Sequence, residues 1–254
     1  MVKMRTALVT GGTRGIGRAV VERLAGRGYA VVFSGRDEQA GVAVETELRE
    51  RDRQVTFVGA DLQDPVAITG LVEKAVETLG SLTVLCHAAG IYPERSLANM
   101  DVDDWRVVMD TNLTSAFLLV KHAASHLSAT DAGRIVFISS ITGPRTGIHG
   151  LAHYCASKGG LEGLMRAAAM ELAPLVTVNA VAPGTILTDS LAELYAEPGA
   201  MEAVTAIIPA ARLGMPADIA ATVEFLAGTD TGFITGQSIV VDGGQTIPEV
   251  QGAS

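Results

Sequence analysis

A tyrosine and a lysine four residues apart, Tyr154 and Lys158 in the run Tyr-Cys-Ala-Ser-Lys, are the pair most able to do chemistry in this chain. On a helix this spacing puts them on one face, one turn apart. An ammonium beside a phenol favours the phenolate and lowers its pKa from about 10. A tyrosine tuned in this way can act as a general acid or base near neutral pH. A second stretch, Thr10-Gly11-Gly12-Thr13-Arg14-Gly15-Ile16-Gly17, follows the apolar run Ala7-Leu8-Val9 and precedes a helical pattern with Ile16, Val20, Val21 and Leu24 on one face. Strand, glycine loop and helix form the layout that holds a dinucleotide pyrophosphate, with glycines for the tight turn and free N–H groups for the charge. Each signal alone has a plainer reading: an ordinary amphipathic helix for the first, a structural strand-to-helix turn for the second.

The elements that must position these residues follow from hydrophobic patterning. Beyond the first strand, short apolar runs occur at 30–34, 55–58, 82–86, 134–139, 176–181 and 238–241. Helical patterns separate them at 37–53, 65–79, 102–127, 151–172 and 217–226, with a looser apolar segment at 186–208. The strands are continuous apolar runs, so both sheet faces should be covered. The pattern predicts an α/β fold, a Rossmann-type doubly wound parallel sheet of about seven strands with helices on both faces. No linker or repeat divides residues 1–254, which read as a single domain.

Composition narrows the function. The chain has 254 residues, 48% hydrophobic, with a net charge of -9. That charge argues against nucleic acid as a partner, since phosphate binding needs a basic surface. No stretch approaches the roughly 20 apolar residues of a membrane span, and the first residues lack a signal-peptide pattern. Two cysteines, Cys86 and Cys155, suit a reducing cytoplasm better than a disulfide framework. His122 and His126, and His149 and His153, are spaced four apart. Neither pair has the third ligand and supporting carboxylate of a metal site, so no metal is expected. His149 and His153 fall between Ser140 and Tyr154 and are candidates to border a substrate. Trp105 and Phe117 read as packing residues.

Taken together the motifs resemble the short-chain dehydrogenase/reductase family over nearly the whole chain. The glycine loop has the family's T-G-x-x-x-G-x-G form, and Tyr154 and Lys158 match its Y-x-x-x-K. Ser140 precedes the tyrosine as the family's serine does, although Ser139 lies beside it. Asn112, Pro183-Gly184 with Thr188, and Asp242-Gly243-Gly244 match further motifs. The closest pattern is that of 3-oxoacyl-(acyl carrier protein) reductase-like members.

The resemblance implies that Tyr154 donates a proton to a carbonyl oxygen, that Ser140 holds that oxygen, and that Lys158 binds the nicotinamide ribose. It implies that Asn112 holds a relay water. It assigns cofactor contacts to Gly11, Thr13, Arg14, Gly15, Ile16, Gly17, Arg36, Asp61, Leu62, Ala89, Gly90, Pro183, Gly184 and Thr188, besides Tyr154 and Lys158. It further implies a flexible substrate lid at about 186–215, a partly apolar carbonyl or alcohol substrate, and a homotetramer packed through its long helices. One departure stands out: His87-Ala88-Ala89-Gly90 replaces the usual N-N-A-G. The residue at the end of the second strand is Gly35, where an NAD enzyme carries an acid. Arg14 and Arg36 lie nearby, so NADP(H) is expected over NAD(H). Asp37 competes with that reading, but an acid at a helix start also complements the helix dipole. The expected function is NADP(H)-dependent interconversion of a ketone, 3-oxoacyl thioesters included, and a secondary alcohol. The alternative is a dinucleotide-sensing regulator without turnover.

Overall fold

In a computed structural model, which describes residues 4–189, 191 and 199–247, seven parallel strands form one sheet in the order β3-β2-β1-β4-β5-β6-β7. The strands are β1 (Thr6–Thr10), β2 (Ala30–Gly35), β3 (Val55–Gly59), β4 (Val84–His87), β5 (Gly133–Ile138), β6 (Val176–Pro183) and β7 (Ser238–Val241). Successive side chains of a strand point to opposite faces, and here both faces are covered. On β1, Leu8 packs into a layer with Ile68, Leu119 and Met165, while Ala7 and Val9 join Val21, Leu24, Val44 and Ile219 on the other side.

The first layer comes from α3 (Pro65–Leu79), α5 (Ser115–Ser128) and α6 (Ala152–Leu172), and the second from α1 (Gly15–Gly26), α2 (Glu38–Arg49) and α8 (Pro216–Ala227). Local chemistry starts the helices. Asp37 and Asp64 cap α2 and α3 through backbone N–H groups, and Pro65 opens the first turn of α3. Asp101 and Asp104 form a capping box on α4 (Val102–Met109). A short helix, α7 (Ala200–Ala206), lies within the segment read as loosely apolar. Much of the lid region about 186–215 that lies between Asp189 and Gly199, including Leu194 and Tyr195, falls outside the described residues.

The continuous helix expected over 102–127 is corrected. It divides into α4 and α5 around a π-helical turn, Asp110–Thr114. A π turn carries one extra residue and is common at functional sites. Here it turns Asn112 inward, fully buried. Among the described residues, no helix is long and apolar enough to cross a membrane.

Candidate active site

The sheet order reverses between β1 and β4, and a cleft opens there at the C-terminal edge of the strands, where doubly wound sheets bind ligands. Gly11, Thr13, Arg14, Gly15, Ile16, Gly17, Arg36, Asp61, Leu62, Ala89, Gly90 and Thr188 all line it. Two glycines are required by close packing. A Cβ on Gly17 would lie 2.1 Å from the Gly11 carbonyl oxygen, and one on Gly11, at φ +69°, would lie 2.8 Å from the Ala89 backbone. The loop thus brings the first turn of α1 and the chain after β4 close together, leaving a trough walled by main chain.

Arg14 and Arg36 are exposed, and neither forms an ion pair among the described residues. Asp37 is turned to its own helix, its carboxylate accepting the Ala40 N–H at 3.0 Å. Asp61 likewise accepts the Gln63 N–H at 3.0 Å. Pro183 and Gly184 do not line the cleft. Gly184 packs on the Asp242 turn, where a Cβ would meet Asp242 at 2.6 Å, and its N–H donates to the Val241 carbonyl at 3.0 Å. Thr188 beyond them reaches the glycine loop beside Gly15.

The reactive side chains gather at the β4–β5 end. Lys158 Nζ lies 5.6 Å from the centre of the Tyr154 ring and donates to the Ile138 carbonyl at 2.7 Å. Asn112 accepts the Ile91 N–H at 2.8 Å and donates to the Ile91 carbonyl at 2.9 Å and the Ser157 hydroxyl at 3.1 Å. A Cβ on Gly90 would lie 3.4 Å from both Asn112 Oδ1 and Lys158 Nζ. The two serines separate as strand geometry requires. Ser139 donates to the buried Glu162 carboxylate at 3.3 Å, whereas Ser140 accepts the Thr142 N–H at 3.0 Å and neighbours the Tyr154 hydroxyl.

The expected lowering of the Tyr154 pKa is corrected. Burial raises it to about 12, and the Ser140 hydroxyl opposes that rise only in part. Burial also lowers Lys158 to about 8. Desolvation favours the neutral form of each group, so at neutral pH Tyr154 keeps the proton that a general acid must give.

His87 takes over the position of the usual asparagine with both ring nitrogens engaged. Nδ1 lies 2.9 Å from the Thr10 hydroxyl and Nε2 lies 3.4 Å from the Ser115 hydroxyl. Ser115 gives its own proton to the Thr111 carbonyl at 2.6 Å. It must therefore accept from Nε2–H, which leaves Nδ1 to accept from Thr10. Thr10 in turn accepts the Ala89 N–H at 3.4 Å. One directed chain of hydrogen bonds thus runs from the cleft wall to the π turn. Burial and the nearby Lys158 push the His87 pKa down to about 3, so the ring stays neutral.

Sequence reasoning missed Tyr92, which stands edge-on to Tyr154 with ring centres 5.8 Å apart and lines the cleft. It lies in a loop without periodicity, and only its place two residues after Gly90 could have marked it. His153 is buried beside the site and accepts the Tyr154 N–H through Nδ1 at 2.8 Å; His149 is exposed on the adjoining loop. His122 bonds Thr69 at 3.2 Å, joining α5 to α3, and neither lines the cleft.

A family model described as "Enoyl-(Acyl carrier protein) reductase" matches residues 11–246. The 3-oxoacyl-[acyl-carrier-protein] reductase FabG of Staphylococcus aureus (strain Mu50) is 39% identical over 96% of this chain and 99% of its own length. The FabG of Escherichia coli (strain K12) is 36% identical over 94% of this chain and 96% of its own. The crystal structure of an actinorhodin polyketide ketoreductase variant with NADPH superimposes with a TM-score of 0.91 at 33% identity, covering 96% of this chain and 98% of that one. The chain belongs to the short-chain dehydrogenase/reductase family, and is an oxidoreductase of that family.

Proposed function

We propose that the chain is an NADP(H)-dependent reductase that interconverts a ketone and a secondary alcohol, the ketone of a 3-oxoacyl thioester included. One observation carries the reading: Asn112 and Lys158 stand behind Gly90, while Tyr154, with Ser140 beside it, stands against Tyr92, and both Gly90 and Tyr92 line the cleft that the glycine loop also lines. The trough suits a dinucleotide, since its walls are main chain and a single Cβ on Gly11 or Gly17 would collide with them. When bound, the nicotinamide supplies a hydride to the carbonyl carbon. Ser140 holds the carbonyl oxygen and Tyr154 gives it a proton. Lys158 holds the ribose and stabilises the phenolate that remains, and Asn112 fixes the turn through which the proton is replaced. Thr188 borders the carboxamide, with Pro183 and Gly184 holding its loop; Asp61 and Leu62 border the adenine.

The cofactor preference rests on charge. A side chain at Gly35 would run into Thr13 at 2.6 Å, so the acid that grips a ribose 2′-hydroxyl has no room. Arg14 and Arg36 stand nearby, unpaired among the described residues, with guanidiniums suited to a 2′-phosphate. The relatives named for FabG and the ketoreductase solved with NADPH support the same choice. The full chain acts in this reading as one cytoplasmic domain with a lid at about 186–215, assembled as a homotetramer; light scattering at micromolar concentration reads the mass, and a monomer would contradict the assembly. The test of activity is NADPH oxidation against a panel of neutral ketones. Ketone-dependent oxidation is expected. NADPH binding without oxidation by any ketone would instead favour the dinucleotide-sensing regulator.

A further inference from the structure

We propose that the substrate carries no phosphate or other anionic handle, and that the reaction end takes a neutral ketone or neutral thioester. The proposal rests on the reductase reading above and narrows its substrate. Among the described residues that line the cleft, the positive charges are Arg14 and Arg36, beside the end of β2. The rim loops at the opposite end also carry arginines, but each is held by a carboxylate. Arg95 pairs with Asp104 at 3.5 Å, and Arg145 with the buried Glu162 at 3.2 Å, a carboxylate that Arg166 also approaches at 3.9 Å from the exposed side of α6. Arg212 forms a two-pronged pair with Asp218 at 2.7 and 3.0 Å. The field of such a pair falls off faster than that of a lone charge, so these arginines attract an anion weakly even where the pair is exposed.

Acidic side chains without an ion pair among the described residues add to this. Asp189 lines the cleft, and the Glu94 side chain lies over Gly150 in the adjoining rim. The sequence from Ala167 to Ala211 contains no lysine or arginine. A phosphate-bearing handle would therefore meet repulsion without a free donor. The apolar wall offered instead is the Tyr92 ring standing against Tyr154.

Acetoacetyl-coenzyme A and the acetoacetyl thioester of N-acetylcysteamine present the same reacting ketone and differ in the charged part of the handle. Their affinities are measured by calorimetry on protein loaded with oxidised NADP, which keeps Arg14 and Arg36 occupied, and their turnover is measured with NADPH. At low salt the neutral thioester is expected to bind about tenfold more tightly, because the rim field acts on the other. The gap should narrow at about 0.3 M salt as screening shortens the field. Glu94→Lys should strengthen binding of the coenzyme A thioester severalfold and leave the neutral one unchanged. Equal or tighter binding of the coenzyme A thioester to the wild type, or no response to Glu94→Lys, overturns the proposal. If neither thioester nor any ketone of the panel is reduced while the affinities differ as stated, the reductase reading fails and the inference about the handle stands.

Discussion

The two ends of the cleft are built by different physics. At the dinucleotide end the walls are main chain, close approach excludes side chains at Gly11, Gly17 and Gly35, and the two arginines there stand in solvent. At the reaction end side chains crowd behind Gly90 and Tyr92: Asn112, Ser140 and Lys158 are all less than a tenth exposed, and Tyr154 is half-buried against Tyr92. Solvated charge recognises a ligand from a distance. Desolvation moves the pKa values of Tyr154 and Lys158 toward their neutral forms. Recognition and proton transfer are thus assigned to places whose dielectric surroundings suit each.

That division is broken most severely at the reaction end. Tyr154→Phe leaves the ring and its contact with Tyr92 but removes the proton, and turnover should fall by at least about a hundredfold. Dinucleotide affinity should change little, and a matching loss of affinity would show that the two ends are not separable. Gly17→Ala attacks the other end. Its Cβ would sit 2.1 Å from a backbone oxygen, and overpacking of this kind costs about 1–3 kcal/mol, or about tenfold to a hundredfold in dinucleotide affinity if the loop alone shifts. Titration by NADPH fluorescence measures it; wild-type affinity would contradict the close approach.

The smallest effect concerns the link between the ends. The His87 pKa drops from 6.5 to about 3 on folding. The unfolded chain therefore binds a proton at this ring as pH falls below about 6.5, whereas the fold resists it. The contribution of the neutral ring is complete above that pH and is lost as pH falls toward 3. His87→Asn removes the titration, so its melting temperature should decline less than that of the wild type between pH 7 and pH 4. Parallel declines would mean that the ring is not held neutral.

Much of this molecule is legible in its residues because the responsible forces are local. Continuous apolar runs marked the strands, and the glycine spacing marked the loop on which the cleft is built. Features that depend on distant partners were not legible. Residues 102–127 keep one helical pattern, and the single extra residue of the π turn Asp110–Thr114 leaves no periodic trace, since Asn112 is held by Ile91, distant in sequence. Tyr154 was expected to be acidic from its neighbour in sequence, yet burial by the whole fold outweighs that neighbour. The pairing of Arg95, Arg145 and Arg212 with carboxylates likewise leaves no local pattern in the sequence. The sequence favours Ser140 over Ser139, but Glu162, which holds Ser139 behind the strand, leaves no trace in it.

The most direct measurement is the ratio of kcat/KM with NADPH to that with NADH, in the wild type and in Arg14→Ala/Arg36→Ala. A charged hydrogen bond contributes about 1.5–3 kcal/mol, so the wild type should prefer NADPH at least about tenfold. The double variant should lose the preference and keep its NADH turnover, because the reaction end is untouched. A wild-type preference for NADH, or a double variant that loses turnover with both dinucleotides alike, would contradict the account.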